Sequence, residues 1–131
     1  MSDPQAQIQA LSEEYQKLQT DLQSSVASRQ KLEGQRQENL GVQKEFDALE
    51  DDETIYKLVG PVLLKQEKFE AESTVKGRLD FIGNEITRYE GLIRESQEKI
   101  EQKKMEIFQI QAAAQQGGQG QGQQGGQQAE S

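Results

Sequence analysis

The sequence predicts a mainly α fold: a long antiparallel two-helix coiled coil with a β-hairpin at the connecting end and a disordered C-terminal tail. Three observations predict it. Apolar residues keep a seven-residue repeat over two long stretches, the period changes to two between them, and the last segment is almost wholly Gly and Gln.

The first helix is expected over about residues 4–49. Asp3 can cap the free N–H groups of a first turn, and Pro4 occupies the first helical position, where no N–H is needed. Ile8, Leu11, Tyr15, Leu18 and Leu22 then recur at alternating steps of three and four. With Ile8 at heptad position a, the seam continues through Ser25, Arg29, Leu32, Arg36, Asn39 and Phe46, so its middle is polar while its phase survives. The acidic run Glu50 to Glu53 interrupts the pattern and helps end the helix, because carboxylates are unfavourable at a helix C-terminus.

The connecting stretch carries the hairpin, expected over about 54–66. Thr54 to Val59 and Val62 to Gln66 are rich in β-branched and aromatic residues and are separated by Gly60-Pro61. Gly suits the positive φ at the first position of a type II′ turn and Pro the negative φ at the second, so a two-residue reversal is feasible. The second helix is expected over about 70–113. Leu79, Ile86, Ile93, Ile100 and Ile107 form an unbroken a series, with Ile82, Tyr89, Ser96, Lys103 and Ile110 at d. A globular helix drifts off such a repeat within a few heptads. The glycines check the register independently: Gly34, Gly41, Gly77 and Gly91 fall at the outward f position, and only Gly83 lies elsewhere, at e.

A reversal centred near Gly60 allows two antiparallel registers, in which facing residue numbers sum to 118 or to 125. They set Leu11 or Leu18, respectively, opposite Ile107, and the sequence does not choose between them. Residues 1–114 thus read as one domain. Gln115 to Ser131 cannot bury enough apolar area to offset ordering entropy and is expected to be disordered.

Composition narrows the function classes. With 32% hydrophobic residues in 131, the chain is too polar for a sizeable globular core. The absence of Cys and His removes disulfides, thiol chemistry and the usual zinc and general-base options, so neither an enzyme nor a cofactor is expected. A net charge of -8, with acids and bases interleaved, argues against nucleic acid. The longest apolar run, Leu58 to Leu64, is too short for a bilayer, and residues 1–10 lack a signal-peptide layout. A cytoplasmic setting is the expectation.

Two apparent motifs have plainer explanations. Gly120 to Gly125 matches a dinucleotide fingerprint formally but has no preceding strand or following helix to aim N–H groups at a pyrophosphate. Glu50 to Glu53 lacks the alternate oxygen spacing of a calcium loop and is expected to be a solvated junction, not a metal site.

Two apolar sets are in excess of what the seam needs. Met105 at f and Phe108 at b should face water, beside Ile107, Ile110 and the opposing Ile8 and Leu11. Frayed helix ends are the plain alternative, but exposed Met and aromatic surface is costly unless used, and Met adapts to many shapes. The hairpin presents Ile55 and Val59 on one face and Tyr56 and Leu58 on the other, more than one hairpin and two helices can cover. Phe46, Phe69 and Phe81 are near enough in sequence to pack beneath it, and equivalent hairpins of other chains are expected to complete it.

The runs Ile55-Tyr56-Lys57-Leu58-Val59-Gly60-Pro61-Val62-Leu63-Leu64-Lys65-Gln66 and Arg78-Leu79-Asp80-Phe81-Ile82-Gly83-Asn84-Glu85-Ile86, with Arg88 following, resemble the prefoldin family in its β-class, which has a single hairpin. The likeness covers about residues 5–111. It implies an ATP-independent chaperone subunit in a heterohexamer of α-class and β-class subunits. Such a complex holds unfolded clients, notably nascent actin and tubulin, and passes them to the group II chaperonin of the cytosol. Carried onto this chain, Ile55, Tyr56, Leu58, Val59, Gly60, Val62, Leu63 and Leu64 are assembly residues. Ile8, Leu11, Met105, Ile107, Phe108 and Ile110 are client contacts. The Gly/Gln tail is outside the family pattern. A coiled-coil tether or adaptor without chaperone activity is the alternative.

Overall fold

A computed structural model describes residues 3–122 and contains four elements in order: α1 (Pro4–Ala48), β1 (Ile55–Val59), β2 (Val62–Gln66) and α2 (Lys68–Gly122). By packing, the described residues up to Ser24 and those from Leu92 onward form one unit, hereafter the terminal unit; Ser25–Gly91 form the other, the hairpin unit. No described helix is long and apolar enough to cross a membrane.

Helix α1 begins where the capping pattern places it, with the Gln7 N–H donating to the Asp3 carbonyl at 3.0 Å. Its end is held from a distance. The last carbonyls of a helix have no intrahelical donor, α1 has no basic residue in its last turn, and acids follow it. The Lys68 ammonium, at the start of α2, fills this role by donating to the Leu49 carbonyl at 3.0 Å and lying 3.5 Å from Asp51. Within the acidic run the Glu53 N–H donates to the Glu50 carbonyl and the Glu50 N–H to the Glu53 carboxylate, so the run closes into a turn. Asp51 and Asp52 are exposed, as a solvated junction requires.

The strands pair antiparallel with Val59 opposite Val62 and Ile55 opposite Gln66, leaving only Gly60 and Pro61 in the loop. Gly60 has φ +58°, the one positive φ among the described residues. A Cβ there meets nothing within 4 Å, so Gly60→Ala carries a purely conformational cost of about 1 kcal/mol. The expected result is faster amide exchange across β1 and β2, by about fivefold for that cost, with α1 and α2 unaffected.

Packing follows the heptads of α2. All ten a and d residues from Leu79 to Ile110 are buried or half-buried, and the described core consists of Ala71, Val75, Ile82 and Ile86 in the hairpin unit and Ile100 in the terminal unit. A Cβ added at Gly34, Gly41, Gly77 or Gly91 would meet nothing within 4 Å, in keeping with their outward f positions, and the same holds at Gly83 in position e. In α1 the phase holds except at Arg36, which is exposed and lies 3.9 Å from Glu33 on its own helix while Gln35 and Asn39 are half-buried. A guanidinium with no opposing acid stays hydrated, and shorter polar neighbours close the seam.

Helix α2 also continues past its expected end. Ala112, Ala113 and Ala114 are good helix formers and Gln is nearly as good, which favours extension through Gln116 to the first of the glycines, and the helix bounds run to Gly122. The expected Gly/Gln tail begins at Gln115, within the printed bounds of this helix, and its residues 123–131 lie outside the described residues. The formal fingerprint Gly120 to Gly125 begins inside this helix and is not preceded by a strand.

Candidate functional site

Two apolar surfaces stand out, one in each unit. In the hairpin, residues paired across the strands share a face, because side chains alternate with a period of two. Ile55, Lys57, Val59, Val62, Leu64 and Gln66 form one face; Tyr56, Leu58, Leu63 and Lys65 form the other. Leu58 is 68% exposed and Leu63 63%, and Tyr56, Val59, Val62 and Leu64 are exposed too; only Ile55 and Gln66 at the base are half-buried. The chain therefore leaves both faces of its own sheet uncovered, along with both strand edges.

The phenylalanines do not cover it. Phe69 and Phe81 are exposed and Phe46 is half-buried, so nearness in sequence does not bring the first two under cover. Phe81 occupies heptad position c, facing away from the seam, and lines an open groove with Gln35, Asn39, Gly77, Arg78 and Ile82.

The terminal unit gathers the second set. Ile8, Leu11, Ile107 and Ile110 are half-buried along the seam, while Met105 is 58% and Phe108 67% exposed. The two exposed residues are three apart on one helix, so their side chains are neighbours. No buried side-chain polar atom among the described residues lacks a partner, and none of them form a group of three or more acids able to hold a metal ion.

The electrostatics of the seam choose the register that periodicity left open. Arg29 donates to the Glu90 carboxylate from Nε at 3.2 Å and Nη2 at 2.8 Å, and Lys103 lies 2.8 Å from Glu14. The paired numbers sum to 119 and 117, which selects the register centred on 118 and sets Leu11 opposite Ile107. The Glu14 carboxylate, hydrogen-bonded to the Lys103 ammonium, raises that ammonium above its usual pKa. On the outer face of α2 the Arg88 guanidinium, 2.7 Å from Glu85, holds that carboxyl below its usual range and lies 4.5 Å over the Tyr89 ring. Local reasoning missed Lys68, because its carbonyl partner is 19 residues away. The Lys103–Glu14 and Arg29–Glu90 pairs could have been found by testing each candidate register for opposed charges.

Comparison with known proteins agrees with this geometry. The sequence model of a family described as prefoldin subunit matches residues 9–114. Prefoldin subunit 6 of Saccharomyces cerevisiae is 48% identical over 100 residues, covering 76% of this chain and 88% of that one. Prefoldin subunit 6 of Homo sapiens is 45% identical over 107 residues, covering 82% and 83%. The crystal structure of the prefoldin beta subunit from Thermococcus strain KS-1 aligns with a TM-score of 0.74 and 26% identity over 86% of this chain and 96% of that one. Two heptad-patterned helices joined by one two-stranded hairpin are thus shared in sequence and in fold, and this chain belongs to the prefoldin family, in its single-hairpin β-class.

Proposed function

We propose that the chain is a subunit of an ATP-independent holdase that assembles through its hairpin and holds non-native proteins at its terminal unit. The observation that carries this reading is the placement of exposed apolar surface: a hairpin uncovered on both faces, and Met105 with Phe108 open in the terminal unit. Large apolar groups in water favour association, and a polar chain with so small a core gains most by sharing them.

In this reading Ile55, Tyr56, Leu58, Val59, Val62, Leu63 and Leu64 join hairpins of α-class and β-class subunits into a sheet closed among chains, and Gly60 makes their turn. The complex is a heterohexamer working in the cytosol. Ile8, Leu11, Met105, Ile107, Phe108 and Ile110 contact unfolded chains of the actin and tubulin kind, which then pass to the group II chaperonin. Several weak patches acting on one client gain avidity through effective concentration and still release stepwise, so no nucleotide is needed.

Mass measurement of the purified chain mixed with candidate α-class and β-class partners tests the assembly. A stable six-chain complex is expected. A chain that stays monomeric with every partner, with a solvated and mobile hairpin, overturns the proposal.

A further inference from the structure

Two charged residues sit on the hydrophobic seam, one in each unit, and both are satisfied in the same way. Arg29 occupies an a position of α1 and pairs with Glu90 of α2; Lys103 occupies a d position of α2 and pairs with Glu14 of α1, both at 2.8 Å. In the register centred on 118, Arg29 faces Tyr89 and Lys103 faces Tyr15, so each acid is the sequence neighbour of the tyrosine opposite its cation. The Arg29 and Lys103 side chains are only 37% and 26% exposed. A partly desolvated cation at such a position costs stability against an apolar residue, and the known gain from polar seam residues is selection of register and partner.

We propose that Arg29 and Lys103 are pairing determinants that admit the folded-back register of this chain and reject its alternatives. A slip of one heptad to the sum of 125 sets Arg29 against Ser96 and replaces Glu90 by Gln97, although Lys103 gains Asp21. The opposite slip sets Arg29 against Ile82 with Gly83 in place of Glu90, and Lys103 against Ile8 with Gln7 in place of Glu14. Of these three registers only the observed one supplies both cations with a carboxylate. Parallel pairing of two copies is rejected more strongly. It brings Arg29 against Arg29 or Lys103 against Lys103 within the seam, and like charges there repel at close range with little water to screen them.

The inference stands apart from any chaperone role and applies to each unit by itself. In the terminal unit, which has no hairpin to align it, Lys103–Glu14 is the one interhelical ion pair among the described residues. The chain has no cysteine, so introduced thiols report register without background. In the full-length chain, Leu18→Cys with Ile100→Cys reads the sum of 118, and Leu18→Cys with Ile107→Cys reads 125.

The 18/100 pair should oxidise within one chain at least about tenfold faster than the 18/107 pair. Adding Arg29→Leu and Lys103→Leu should erase that preference and produce covalent dimers, while circular dichroism shows helix retained and a higher melting temperature. Lys103→Glu alone should weaken the preference, and Lys103→Glu with Glu14→Lys should restore it. If the leucine variant keeps the 18/100 preference and crosslinks only within chains, the proposal is overturned; equal behaviour of the single and double charge swaps overturns it as well.

Discussion

Aspartate at both Val59 and Val62 is expected to abolish assembly of this chain with other subunits while leaving its helices formed. The two valines face each other across the turn, and both are exposed in the isolated chain. The free subunit therefore has little to lose. Helicity by circular dichroism should be unchanged, apart from mild repulsion between the two new carboxylates across the strands. In the shared sheet proposed above, the same positions would be enclosed by apolar groups of neighbouring chains. An unpaired carboxylate there would cost several kcal/mol, and each subunit would carry two. Native mass measurement should show the six-chain complex replaced by free subunit. An intact hexamer would remove the hairpin as the assembly surface.

Met105→Ser combined with Phe108→Ser should weaken suppression of client aggregation and leave the hexamer whole. Burying a Met or Phe side chain against a client is worth roughly 1.5–3 kcal/mol each. Losing both from one subunit among several should raise the complex concentration needed for half-maximal suppression by about tenfold, since the remaining patches still act together. The substitutions also test the plain explanation that the exposure of the two residues is incidental. Suppression at the parent concentration, with assembly verified in the same sample, would exclude this patch as the client site. The two experiments separate cleanly, because the hairpin and the Met105–Phe108 pair lie in different packing units.

Much of the fold was legible because it rests on periodicity. Leu79 to Ile110 keep one phase through the whole seam, and Gly60-Pro61 between two β-rich runs permits few reversals; the helices and hairpin lie close to their expected places. The less legible features depend on partners distant in sequence. Lys68 caps α1 from across the hairpin, and no local pattern marks it. Arg36 carries the spacing of a seam residue, yet it has no facing acid and turns outward, whereas Arg29 finds Glu90 and remains. Phe69 and Phe81 look like core residues by composition, but only position on the helix decides which way a side chain faces, and Phe81 at c faces away from the seam. For the candidate surfaces, excess apolar residues off the heptad were the readable signal, and Met105 and Phe108 are exposed where their positions place them.

The thinness of the interior has a consequence for how the protein persists. Five buried side chains are all that the described residues enclose, and none of them is large and fully enclosed. A lone copy therefore stays folded on a small reserve of free energy, and assembly as proposed would add to that reserve by mass action. Its melting point belongs to a mixture more than to a molecule, rising with the supply of companions.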